Sequence, residues 1–166
     1  MRRRVRSGQA LVEFALVLPI FIFLLLAVFD LGRAVFAYNG LTNAAREGAR
    51  LAVVNQTSAS IDSRVQEQSP AAEVTTCTVF LAPGRSTNDC ATTLAGDKCA
   101  VAPAALKIGC IASIEASTTY TAITPIIGSL IGPITLTARS EIPIEFVCPN
   151  AAIPAWNTAG ACPKQP

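Results

Sequence analysis

Twenty residues from Ala10 to Phe29, ALVEFALVLPIFIFLLLAVF, form an apolar run broken only by Glu13 and Pro19. At about 1.5 Å per residue, a helix of that length is about 30 Å long, the thickness of a bilayer's hydrocarbon layer. Ahead of it stands MRRRVRS, with arginines at positions 2, 3, 4 and 6. A basic flank on one side of an apolar span keeps that side in the cytoplasm. The sequence therefore predicts a basic leader over 1–8 and a single-pass transmembrane helix over 9–29. Everything beyond is expected on the exoplasmic side of the cytoplasmic membrane. Read alone, the arginines would suit an RNA-binding arm; beside this run they are a topology signal.

The remaining composition is that of an ordinary domain. Thirteen basic residues face eleven acidic ones, and without the four leader arginines the rest carries a formal charge of about −2. A nucleic-acid partner would need a basic face, which this balance excludes. The chain has no histidine, so histidine-activated nucleophiles and histidine metal sites are ruled out. Gly128 and Gly132 lack the lysine and helix context of a phosphate loop. The reading is non-enzymatic, with no catalytic residue, cofactor or metal.

Cys77, Cys90, Cys99, Cys110, Cys148 and Cys162 all follow the apolar run. An even count outside the cytoplasm implies up to three disulfides, with fifteen pairings open. Spacing favours Cys90–Cys99 around a local loop, Cys148–Cys162 at the tail and Cys77–Cys110 between two strands; only the even count is fixed.

Three fates are open to the amino end. An uncleaved anchor is one. A secretory cut after Ala37 is another, although the run exceeds the length of a removable signal. The third comes from a motif. Gly8 followed by Gln9, Ala10, Leu11, Val12, Glu13 and Phe14 resembles the cleavage site of type IVb (Flp-type) prepilins, in which a peptidase cuts after glycine. The resemblance puts the cut between Gly8 and Gln9, with Glu13 fifth and Phe14 sixth in the mature chain. A lone carboxylate inside an apolar span costs about 2.5–3.5 kcal/mol on insertion scales and calls for a partner. Cleavage would create one, the α-ammonium of Gln9 on a neighbouring subunit. The plainer alternative is that Glu13, within a turn of the interface, reaches headgroup water.

The resemblance continues through Phe29–Val54, FDLGRAVFAYNGLTNAAREGARLAVV, where DLGRA and NAAREGAR look like the TadE-like proteins of tight-adherence pilus systems. It implies a pseudopilin or minor pilin, processed by a prepilin peptidase and assembling by helix–helix packing. Its partners would be other pilin-like subunits, the pilus machinery and the lipid bilayer, in the cytoplasmic membrane or in an extracellular pilus. The competing class is a membrane-tethered exoplasmic binding or adhesion module with an uncleaved anchor.

Apolar residues recur at helical spacing from Leu31 to Ala52, so the helix is expected to continue over 30–55. Asp30 with Arg33, and Glu47 with Arg50, are spaced to pair on its wet face. Gly40, Ala44, Gly48 and Ala52 form a small-residue ridge at four-residue spacing. That ridge suits either a seam for a neighbouring subunit's helix or close packing under the protein's own sheet. A polar linker is expected over 56–73, with a short helix over 61–68 capped by Ser60 or Asp62. Asn55-Gln56-Thr57 is a glycosylation triplet, a pattern that is common by chance.

Residues 74–166 read as an exoplasmic antiparallel β domain. Val74–Leu81 is rich in strand formers, and Pro83–Lys98 in turn formers. Over 108–122 the residues Ile108, Cys110, Ala112, Ile114, Ala116, Tyr120 and Ala122 alternate with Ser113, Glu115, Ser117 and Thr119. Over 134–148 Ile134, Leu136, Ala138, Ile142, Ile144 and Phe146 alternate with Thr135, Thr137, Arg139, Glu141 and Glu145. Such alternation means antiparallel strands buried on one face. Glu115, Glu141 and Glu145 are then solubilising charges, with a weak cation option for the last two. Pro143 marks an edge or a bulge. Between the strands, the loop from Ile123 to Pro133 is apolar: either an exposed patch touching a neighbour or the membrane surface, or a plug folded under the sheet. Trp156 is expected to pack over the sheet within the tail loop. The predicted fold is α+β and pilin-like, a long amino-terminal helix against a small disulfide-stapled antiparallel sheet.

Overall fold

The computed structural model describes residues 7–69, 73–86, 90, 99, 108–124, 128–129 and 131–148. It has an α+β fold with five elements in chain order: α1 (Ser7–Ala52), α2 (Ser58–Gln68), β1 (Thr75–Leu81), β2 (Ile111–Tyr120) and β3 (Ile134–Pro143). The chain divides into two compact units, Met1–Phe36 with Tyr120–Ile134, and Ala37–Thr119 with Thr135–Pro166.

α1 runs for 46 residues without a break, close to the length that the apolar run and its amphipathic continuation together predict. Pro19 lies inside it. The proline nitrogen carries no hydrogen, so the Ala15 carbonyl loses its usual donor, a loss that spanning helices tolerate. At the far end Arg50 sits in the last turn, where a cation favours the negative end of the helix dipole. The chain leaves the helix through a turn in which the Val54 and Asn55 amides donate to the Leu51 carbonyl, at 3.1 and 2.8 Å.

In the second unit, the core lies between the last turns of α1, α2 and one face of the sheet. Leu41, Ala44, Ala45, Ala49 and Ala52 from α1 meet Ile61 and Val65 from α2 and Ala112, Ile114 and Ala116 from β2. The polar linker is therefore part of the core. Its helix starts at Ser58, earlier than expected, so Ser60 and Asp62 lie inside it and neither caps it. Thr57 is the N-cap residue and makes no side-chain capping bond. Its amide instead donates to Asn55 Oδ1 at 3.0 Å, an Asx turn that starts the helix without a hydroxyl cap. The first two residues of the glycosylation triplet are buried in this turn, Asn55 being 1% exposed.

The sheet is antiparallel, in the order β1-β2-β3, which leaves β3 at an edge, where Pro143 costs no ladder bond. The register of β1 on β2 pairs Thr78 with Ile114 and Phe80 with Ala112 on the core face. The alternation of β2 holds for Cys110, Ala112, Ile114 and Ala116, all buried. Ile108 departs from it and is exposed. The opposite face differs from the expectation of a wet surface. There Val79, Leu81 and Cys90 form a second apolar cluster with Cys77 and Ile111, and Ser113 is fully buried.

A turn and a disulfide produce that cover. After β1 the Arg85 amide donates to the Ala82 carbonyl at 3.0 Å, and Gly84 has φ +75°. Proline at the second position and glycine with positive φ at the third are the residues a type II turn requires. The turn redirects the chain after β1, and Cys90 bonds to Cys77 on the outer face. The second bridge is Cys99–Cys110. Two expected pairings, Cys90–Cys99 and Cys77–Cys110, are thus replaced, because each cysteine bonds within its own strand-and-loop segment. Cys148 is also disulfide-bonded; its expected partner Cys162, like Trp156, lies outside the described residues.

Candidate functional site

The prepilin-like motif occupies the first turns of α1. Gly8, Gln9, Glu13 and Phe14 are all exposed. One helical turn sets Gln9 beside Glu13, and the Gln9 amide Nε2 donates to Glu13 Oε1 at 3.3 Å. Leucine, isoleucine, valine and phenylalanine then lie open around the helix, from Leu11 at 69% exposed to Phe29 at 64%. An apolar helix open on every side is soluble in lipid, not in water. The stretch from Gly8 has the length and composition to cross a membrane.

A second carboxylate stands at the end of the run. Asp30 is expected on a wet face with Arg33, yet it is 7% exposed. The loop that follows β2 closes over it, within the first unit. Asp30 Oδ1 accepts from the Ile123 amide at 3.0 Å. Its Oδ2 accepts from the Thr124 amide at 3.0 Å and the Thr124 hydroxyl at 2.5 Å. Tyr120 donates its hydroxyl to the Asp30 backbone carbonyl at 2.7 Å, and the Arg33 guanidinium lies over the Tyr120 ring, 5.8 Å from its centre. Arg33 also stands 3.9 Å from the carboxylate. The Thr124 hydroxyl and amide bonds hold the Asp30 carboxyl below its ordinary pKa, against the opposing effect of burial, with the Ile123 amide and Arg33 acting in the same direction. Sequence reasoning missed this clamp. The available signal was one acid directly after the apolar run and one threonine in a charge-free loop.

The small-residue ridge follows the second of its two expected uses. Ala44 and Ala52 are fully buried in the chain's own core. A Cβ on Gly48 would fall inside contact distance of Val65 Cγ2, and 3.3 Å from Ile114 Cγ2. Only Gly40 is half-buried. The ridge lets α2 and β2 approach α1 closely and, apart from Gly40, offers no surface to another subunit.

The carboxylates of the sheet are engaged in hydrogen bonds and ion pairs. Glu115 pairs with Arg139 and accepts from the Cys90 amide at 3.3 Å. Glu141 accepts from Ser86 at 3.1 Å and from Ser113 at 3.2 Å. These contacts fasten the outer cover to β2 and β3, so neither residue is a mere solubilising charge. Glu47 and Arg50 pair at 2.6 Å, as their spacing predicts. Among the described residues no three side chains are grouped to hold a metal ion.

An exposed apolar helix that continues into the core of an α+β domain defines a class, proteins built around one amino-terminal helix that fits a single-pass membrane anchor. Residues 8–50, nearly all of α1, match the model of the TadE-like protein family, the family that DLGRA and NAAREGAR resemble. That match points to a pilus-associated protein. No curated protein and no solved structure matches the chain.

Proposed function

We propose that the protein is a pseudopilin or minor pilin of a tight-adherence pilus. A prepilin peptidase trims it after Gly8, and helix packing with pilin-like subunits assembles it. Its amino end lies in the cytoplasm and the β domain on the far side of the membrane. The observation that carries this reading is the open apolar helix matching the TadE-like model, with Glu13 held by Gln9 one turn away. Trimming would turn the Gln9 backbone nitrogen into an ammonium. That ammonium would give Glu13 of a neighbouring subunit a charged partner. With the small-residue ridge largely used inside the chain, the surface left for subunit contact is the exposed helix over 9–29.

Terminal sequencing of protein extracted from membranes that contain the peptidase tests the proposal. A start at Gln9, or at its cyclised form, is expected; a retained Met1 or a start at Tyr38 would sink it. Glu13→Ala should insert normally but fail to co-assemble. Full co-assembly of that variant would remove the charge role.

A further inference from the structure

We infer that the loop from Tyr120 to Ile134 is a lipid-interface element, lying in the headgroup layer where α1 leaves the bilayer. The inference rests on α1 spanning the membrane. The loop's depth is then set by chemistry, because it is fastened to Asp30, the first residue after the twenty-residue apolar run. Three hydrogen bonds reach the Asp30 carboxylate and one reaches its carbonyl, all from Tyr120, Ile123 and Thr124.

The residues displayed there suit lipid. Residues 121–134 contain no charged side chain. Ile123 is 67% exposed and Ile131 58% exposed, and Ile134 is open as well. The expected alternative, a plug folded under the sheet, would have buried them. Around the same turns of α1, on the side away from Asp30, Phe29, Leu31, Val35 and Phe36 are all exposed, so the apolar surface continues past the hydrocarbon length. Beyond about 30 Å of hydrocarbon, headgroups bring a bilayer to about 40–45 Å, and the aromatic side chains enriched in that layer are tyrosine and tryptophan. Tyr120, its ring against Arg33 and its hydroxyl bonded, is such a residue. An aspartate at this depth is costly unless its oxygens are satisfied, and the clamp satisfies them. A water-facing loop would require neither the isoleucines nor the clamp.

Fluorescence of the full-length protein in phosphatidylcholine/phosphatidylglycerol vesicles tests this. In a Trp156→Phe background, a single indole is placed by Ile131→Trp, with Ile123→Trp as a second loop variant. Phe21→Trp serves as the span control and Ser58→Trp as the aqueous control. Both loop indoles should emit to the blue of position 58. Lipids brominated near the headgroup should quench them more strongly than lipids brominated near the chain ends. Adding Thr124→Val should return them toward the aqueous control. Deep quenching at position 21 with water-like emission and free acrylamide access at 131 and 123 would overturn this inference alone. Water-like emission at 21 too would overturn the anchor reading and this one with it. Protection from acrylamide that grows with protein-to-lipid ratio, without bromolipid quenching, would assign the loop to a second copy and overturn it as well.

Discussion

Gln56 and Cys148 are joined by two reciprocal hydrogen bonds although 92 residues separate them. The Gln56 amide donates to the Cys148 carbonyl at 3.0 Å, and the Cys148 amide donates back to Gln56 Oε1 at 2.6 Å. Gln56 Nε2 donates to the Ala52 carbonyl at 2.7 Å and to the Phe146 carbonyl at 2.8 Å. One buried side chain thus satisfies backbone groups at the end of α1 and after β3.

Gln56→Ala would strand those backbone groups, each at about 1–3 kcal/mol when buried and unpaired. The variant should lose about 3 kcal/mol or more, read as a lowered denaturation midpoint in detergent with the disulfides intact. A loss under about 1 kcal/mol would mean that water replaces the amide.

Gly48→Ala poses helix propensity against packing. Alanine should favour the helix by about 1 kcal/mol. Its methyl would collide with Val65 Cγ2, which sits on a short β-branched side chain with little room to turn. Overpacking typically costs about 1–3 kcal/mol, so the net change should be destabilising. An unchanged or raised midpoint would show that α2 yields freely.

Asp30 should make loop docking sensitive to acid. Its carboxyl is held below the ordinary 3.8, so the folded state binds its proton less readily than the unfolded state. The contribution is complete above 3.8 and is lost as pH falls through the lower folded value. The other ionisable groups facing it are Arg33 and Tyr120. Thr124 and Ile123 amide resonances should stay constant from neutral pH to about 5 and move only below the ordinary carboxylate value. Asp30→Asn should abolish that acid transition; its survival would place the transition elsewhere.

The Cys77–Cys90 bridge closes a sequence separation of 13. On chain-entropy grounds its removal should cost about 3 kcal/mol. Replacing both cysteines by alanine should also free the outer cover, so a reporter on Ser86 should gain mobility while the amides of Ala45, Ala49 and Ala52 keep their protection from hydrogen exchange. If those amides lose protection first, the cover is no separate layer.

What was legible in the chain follows from periodicity. A twenty-residue run broken only by Glu13 and Pro19 announced the first half of α1, and alternation announced β2 and β3 and their core-facing residues, Ile108 and Ile134 excepted. Pro143 marked an edge. The misses share one cause, dependence on a distant segment. Ser113 and Glu115 alternate like wet residues, and only the path of the chain after Gly84 puts a lid on them. Asp30 and Arg33 have the spacing of a surface pair, and nothing local announces that Thr124 will take the carboxylate. Cysteine spacing favoured Cys90–Cys99, whereas strand neighbourhood brings Cys90 to Cys77. The glycine–alanine ridge was equally suited to an internal and an external partner, and the identity of α2, hidden in a polar linker, decided it.

The unbroken course of α1 has a mechanical consequence. Its last turns are the wall against which Ile61, Val65 and Ile114 rest, so the end of α1 is part of the core of the second unit. Clipping the backbone before Leu41 would spare that wall where clipping inside 41–52 would not.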